Sequence, residues 1–422
     1  MAVASTRSGA VRLPAALPVP LHPTQPHEWG RARVVLLCQP DIETLFGILE
    51  TNSANFLNPF DLAKARIEHA RFRKALERAG ATVIDLREAL TFGCVGENGQ
   101  VVEGENLARL RERAYGSLLY DYDAAITPAE RADLEKNKRL TIETLHPTVL
   151  ADLVLLRPTI HIRPNPGALD ATSRYLSSYH VDPANNQYFM RDPLITTRLG
   201  VVIGRFSLDV RKVENDNVEF ALAQLGIKPL YRVQAPGRLE GGDFMPAGDF
   251  VFQGQGLLSD EDGVNQLLEH RVYGYVEVAV VKDPRSEMDE MHLDTYFSLL
   301  SPNLAVLCED RIGGEQEPVV DVYRPEGTAR NFRYRLAGRQ SFTTYLGEKG
   351  IAVVPFSKQE QEDYAPNFLL IDSAKLIGVS RAGRSFAQRV RARGVDARFL
   401  DFDALTGGYG GPHCMSQVIV RQ

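Results

Sequence analysis

The chain has 422 residues, 44% hydrophobic and 24% charged, enough to bury a large core without a disulfide or metal staple. Its formal net charge of -6, with no Lys/Arg run, argues against a nucleic-acid partner. No stretch approaches the roughly eighteen apolar residues of a transmembrane helix, so no membrane partner is expected. Length alone allows two or three domains or one large α/β core.

In chain order, residues 1–27 are Ala/Pro/Ser-rich, hold only Arg7 and Arg12, and lack the apolar core of a secretory signal. They read as a disordered N-terminal arm ahead of a catalytic domain spanning 28–422. RVVLLC (33–38) reads as a strand. Asp61 is placed to cap a helix to about Ala79, with Leu62, Ala65, Phe72, Leu76 and Ala79 on one face and Gly80 as the stop. His69 lies near that face and reads as a packed structural histidine. ATVIDL (81–86) is the next strand. Residues 97–184 lose the strand pattern and read as a helical insertion. Strands then resume as LGVVIGR, PLYRV, DFVFQGQ, YVEVAVV, NLAVLCED, GIAVVPF, FLLID and LIGVS, with helices such as SFAQRVRARG between them, for which Ser385 is a cap. Strand and helix alternation gives an α/β class.

The four cysteines, Cys38, Cys94, Cys308 and Cys414, form no CxxC and no zinc spacing, so no metal site is expected. Free thiols at this density fit a reducing, cytoplasmic compartment. Cys38 and Cys308 end apolar runs and read as small core hydrophobes.

Four clusters carry chemistry: FMRDP (189–193), LEGGDFMP (239–246), MHLDTYF (291–297) and GGYGGPHCMS (407–416). Singly each has a bland reading; Arg191 and Asp192, for instance, could form a solvated ion pair. Together they supply a thiol in Cys414, an acid/base in His292, and three carboxylates in Asp192, Glu240 and Asp294. An acyl-transfer site needs hydrogen-bond donors for an oxyanion. Several carboxylates around a thiol suit a planar cation with many N–H donors instead, and guanidinium is that group. The glycines of 407–411 lie too near the C-terminus to open a βαβ phosphate site, and no Walker-type lysine follows.

At these clusters the chain resembles the arginine deiminase family of the guanidino-group-modifying, or pentein, superfamily. HEWGRARVVL and FDLAKARIEHARFRKAL resemble that family's first strand and first long helix. NNQYFMRDP, EGGDFMP, MHLDTYFS and GGPHCMS follow in the family's order. The resemblance implies a five-bladed α/β propeller of ββαβ modules with a helical insertion. It implies that Cys414 attacks the guanidinium carbon, that Asp192 and Asp294 hold its nitrogens, that His292 is the acid and base, and that Glu240 orients His292. Asn186 and Arg211 would bind the substrate's amino-acid end. A small guanidino compound, with no metal or organic cofactor, is the implied partner; self-association is left open. Three departures stand out. Ser259 and Tyr409 occupy places where the family usually has arginines, and His413 replaces a third. The implied reaction is L-arginine and water to L-citrulline and ammonia. The same residues would also serve an amidinotransferase, with an amine in place of water. A non-enzymatic relative should have lost at least one of these five groups.

Overall fold

The computed structural model describes residues 21–328 and 331–422. Most of the expected arm therefore lies outside the described residues. Its last part is anchored: Leu21 and Gln25 are buried, the Thr24 N–H donates to the Ile419 carbonyl, and the Gln25 N–H to the Thr197 carbonyl, each at 3.0 Å. The ordered body thus begins before residue 28.

The α/β class holds, and one pattern repeats five times. An antiparallel strand pair is followed by a helix and a third strand that returns parallel to the second. The first unit joins Leu194–Thr196 and Val201–Ile203, helix Lys212–Gln224 and strand Tyr231–Arg232. The second joins Phe244–Ala247 and Phe250–Gln255, helix Glu261–His270 and strand Glu277–Lys282. The third joins Phe297–Ser301 and Leu304–Cys308, helix Phe342–Glu348 and strand Ala352–Phe356. The fourth joins Leu369–Asp372 and Lys375–Val379, helix Gly383–Arg391 and strand Asp396–Leu400. The fifth ties the two chain ends together: Gln417–Arg421 pairs with Ala32–Leu37, and helix Leu62–Arg78 leads to Thr82–Asp85. Central strands such as Leu304–Cys308 are buried along their length, as expected of strands covered on both faces.

The helix predicted from Asp61 forms. Asp61 accepts from the Ala63 N–H at 2.8 Å, and Gly80 ends the turn at φ 87°. His69 is buried, and burial pushes its pKa down to about 4, which fits a neutral structural histidine. Helix Gly383–Arg391 starts ahead of Ser385: the short turn Ser380–Ala382 runs straight into it, and no side chain caps it.

The segment 97–184 holds three helices, Glu105–Ser117, Pro128–Thr144 and Pro147–Leu156. It also holds a three-stranded sheet of Leu119–Tyr122, Pro158–Pro164 and Tyr175–Val181, so it is not purely helical. These strands are short and mostly exposed, with Ile160 and Ile162 alternating inward in only one of them, which is a weak strand signal. The long hairpin of Val319–Thr328 and Asn331–Ser341, which extends the second unit's sheet, alternates over Phe332, Tyr334 and Leu336, but its far end is exposed and its first strand is interrupted by Pro325 and Gly327. No sheet closes on itself among the described residues, and no described helix is long and apolar enough to cross a membrane.

Candidate active site

Each unit offers chemistry in the loop just ahead of its first strand. Asp192 precedes Leu194, Glu240 precedes Phe244, His292 and Asp294 precede Phe297, and Cys414 precedes Gln417. The fourth unit contributes Asn367, ahead of Leu369, a residue that sequence reasoning missed.

Asn367 holds Cys414 from both sides. Its Nδ2 donates to the Cys414 Sγ at 2.9 Å, and its Oδ1 accepts from the backbone N–H of Gly411 at 3.0 Å and of Cys414 at 3.2 Å. The Cys414 thiol is buried and also contacts Asp294 Oδ2 at 3.6 Å. Burial and the charges of Asp294 and Asp192 push this thiol well above its ordinary range, while the Asn367 hydrogen bond works the other way. The resting group is therefore a thiol, and a cation beside it would favour the thiolate.

Asp294 accepts from His413 Nδ1 at 2.7 Å through the same Oδ2, and its Oδ1 is buried without a partner. Although burial opposes ionisation, the His413 hydrogen bond and nearby positive charges hold Asp294 below the usual carboxylate range. Asp192 is arranged in parallel. Its Oδ2 accepts from Arg211 Nη1 at 2.7 Å, and its Oδ1 is buried without a hydrogen bond, 4.0 Å from His292 Nδ1. Two buried carboxylates thus each keep one oxygen free, and free buried acceptors call for a donor ligand.

Glu240 and His292 meet as expected, with His292 Nε2 on Glu240 Oε2 at 3.2 Å. The other Glu240 oxygen accepts from the Ser207 N–H at 3.1 Å, and its own N–H donates to Ser259 Oγ at 3.0 Å. Burial disfavours a charged His292. The Glu240 hydrogen bond and the charges of Asp243, Asp192 and Glu240 outweigh it and push the pKa up to about 10. His292 is therefore an acid at neutral pH before any substrate arrives.

The two glycines of the EGGD motif follow from packing. A Cβ on Gly241 would lie 2.0 Å from the Arg191 carbonyl oxygen, and one on Gly242 would lie 2.6 Å from His292 Nδ1. Gly242→Ala should therefore displace the imidazole and cost on the order of 100-fold in kcat with the fold retained. Gly347→Ala, whose Cβ meets nothing within 4 Å, should leave kcat unchanged. Steady-state kinetics of the two variants check this.

Other site residues differ from expectation. Arg191 and Asp192 are both buried and not paired with each other. Arg191 instead binds the Cys414 loop, its Nε donating to the His413 carbonyl at 3.3 Å and its N–H to the Cys414 carbonyl at 2.9 Å. Arg211 is bound to Asp192 and, through Nη2 at 2.8 Å, to Glu214. Asn186 donates to the Ala54 carbonyl at 2.6 Å. Both still line the catalytic pocket with Asp192, His292 and Cys414. Ser259 is fully buried beneath Glu240 and lines neither that pocket nor its neighbour. Tyr409 lines both, in a left-handed conformation at φ 83° that is rare for a bulky side chain. The catalytic pocket measures about 20 Å³; the adjoining outer cavity, which shares Cys414, Met291, Thr295 and Tyr409, measures about 350 Å³.

Known proteins resemble this chain in sequence and in fold. The arginine deiminase of Halobacterium salinarum is 25% identical, covering 93% of this chain and 96% of its own. Among solved structures, the DDAH of Pseudomonas aeruginosa in complex with citrulline superposes with a TM-score of 0.52 at 14% identity, covering 92% of this chain and 99% of that one. An amidinotransferase from Microseira wollei gives 0.53 at 12% identity, covering 95% and 97%. The two solved structures share this chain's fold. The family model for arginine deiminase matches residues 55–421, and the chain belongs to that family, as an enzyme that acts on guanidino groups.

Proposed function

We propose that this enzyme hydrolyses a guanidino group through a covalent thiouronium on Cys414, with L-arginine to L-citrulline and ammonia as its reaction. The observation that carries this is the pair of unpartnered buried oxygens on Asp192 and Asp294 near a buried thiol. A guanidinium presents paired N–H donors to such oxygens, and its charge favours the thiolate. As the cation binds, the Cys414 thiol releases its proton to solvent; the thiolate adds to the guanidinium carbon, and His292 gives its proton to the departing ammonia. The neutral imidazole then takes a proton from water as the oxygen adds to the thiouronium carbon. Collapse frees the thiolate, and the remaining hydroxyl proton passes to solvent, leaving the neutral ureido product. The five units, each presenting its first loop to this site, support their arrangement as blades around it. Ammonia and ureido product released from arginine without any added amine would support hydrolysis. Turnover only with an added amine would assign amidino transfer.

The substrate's far end is where the chain is distinctive. Arg211 is engaged by Asp192 and Glu214, and Arg238 by Asp260 at 2.8 Å. Arg381 lines the outer cavity but sits 3.4 Å from Asp363. An arginine–carboxylate contact is worth roughly 1.5–3 kcal/mol, so losing two costs on the order of a hundred- to ten-thousand-fold in specificity. We infer that the substrate carboxylate meets a remodelled contact set with less than the usual discrimination. Tyr409→Arg should raise kcat/KM for arginine selectively over its amide and agmatine. Ser259→Arg cannot help, because that side chain is buried under Glu240. A thousandfold wild-type preference for arginine over its amide, erased by Arg211→Ala, would end the idea.

A further inference from the structure

A second cavity, of about 830 Å³, lies between the insertion and the first unit. Arg113, Arg157, Arg205, Lys212 and Arg232 line it. Three of these five have carboxylate partners: Arg157 meets Asp182 at 2.8 Å, Lys212 meets Asp209, and Arg232 meets Asp216 at 2.5 Å and also Glu219. Glu112, the remaining acid of the lining, is taken by Arg139. Arg113 and Arg205 have no carboxylate partner among the described residues. Arg113 donates to the neutral Asn217 Oδ1 at 3.0 Å, and its Nε is buried without a partner. Arg205 donates only to the carbonyls of Pro236 and Gly237, at 3.3 and 3.1 Å.

We propose that this cavity is an anion site for a phosphate group, either free phosphate or a phosphate monoester, distinct from the catalytic pocket and coupled to it. Two guanidinium forks on one cavity, each satisfied only by neutral acceptors, match a group with several anionic oxygens. The local field agrees. Burial first, and then the positive charges of Arg157 and Arg232, hold Arg113 below its ordinary range, against the pull of Asp216 and Glu219. A bound anion relieves that repulsion.

The coupling follows from what the same residues touch. Asn217, which receives Arg113, donates through Nδ2 to Gln187 Oε1 at 3.0 Å, and Gln187 adjoins Asn186 of the catalytic pocket. Asn215, also on the cavity, donates to the Pro193 carbonyl at 2.9 Å, one residue from Asp192. The Arg205 backbone exchanges hydrogen bonds with Leu239, the neighbour of Glu240, at 2.9 and 3.0 Å. Ordering Arg113 and Arg205 on an anion would therefore bear on the segments that carry Asp192, Asn186 and Glu240.

The test is calorimetric titration of the full chain with inorganic phosphate and, separately, AMP, at fixed ionic strength, with acetate as the control anion. Saturable one-to-one binding is expected, weakened about tenfold or more by Arg113→Gln or by Arg205→Gln, and unchanged by Arg335→Gln on the exposed hairpin. Glutamine retains a donor for the neutral acceptors. Should Arg113→Gln fail to fold, Arg205→Gln carries the same expectation alone. Tighter binding of AMP names a monoester as the source, and equal or weaker binding names free phosphate; either supports the site. Absence of saturable binding, an equal response to acetate, or glutamine variants that bind like wild type would overturn it. Phosphate should also change kcat/KM for arginine in the wild type and not in Arg205→Gln; binding with no such change overturns the coupling.

Discussion

Cys414→Ala is expected to reduce turnover by on the order of 10⁴-fold or more, because removing a covalent nucleophile removes the path and not merely a contact. The fold should survive. Cys414 sits in a loop ahead of a strand, and the change deletes one sulfur. It removes one of the two acceptors of Asn367 Nδ2, which keeps a longer hydrogen bond to the Asp294 carbonyl at 3.4 Å, a loss of about 1 kcal/mol. Tm should therefore fall by a few degrees while far-UV circular dichroism is retained. Cys38, Cys94 and Cys308 are buried thiols of the core with no link to the site, so their alanine variants should keep kcat whatever they cost in stability. Normal turnover by Cys414→Ala would refute the covalent route outright.

How much of this was legible in the sequence depends on what each residue's signal is. Asp192, Glu240, His292, Asp294 and Cys414 could be read because each stands in a short cluster that resembles a family motif, with neighbours such as the glycines that make room for the Arg191 carbonyl and the His292 ring. Asn367 could not, because a single asparagine before FLLID has no such neighbours. Only the fivefold repeat of units shows that the fourth lacked an assigned residue at that place. Partners were also invisible. Nothing in the residues around Arg211 tells that it binds Asp192 and Glu214, and the chain position of Ser259 does not tell that it lies beneath Glu240 and not on the pocket wall. The strands that were foreseen are buried and apolar. Those that were missed, in the insertion and the long hairpin, are exposed and mixed, with Pro325 and Gly327 inside the latter.

The catalytic pocket is also an unusual electrostatic balance. Asp192, Glu240, Asp243 and Asp294 are buried with Arg211 and a protonated His292 to offset them. The carboxyl of Asp192 is pushed up by burial, although Arg211 and His292 oppose this. A further cation is thus favoured there on charge alone, and the outer cavity that shares Cys414, Met291, Thr295 and Tyr409 leads to it.

Removal of His292 gives the second large effect. His292→Ala should slow both halves of the reaction, because ammonia loses its proton donor and the thiouronium loses the base for water; where solvent supplies the first proton, a covalent adduct accumulates. A loss of about 10²–10⁴-fold is typical for a positioned acid/base. Rapid acid quench and intact-mass measurement should show the adduct at the mass of protein plus substrate less ammonia; a variant that turns over like wild type would remove His292 from the mechanism. The same group sets a pH dependence of stability. Its pKa is raised from an ordinary 6.5 to about 10 in the folded chain, so the stability it contributes is complete below 6.5 and is lost as pH rises through about 10. The Tm advantage of wild type over His292→Ala should accordingly shrink between pH 7 and pH 10. An advantage that stayed constant, or grew, would mean that the Glu240, Asp192 and Asp243 carboxylates do not hold the imidazole in its charged form.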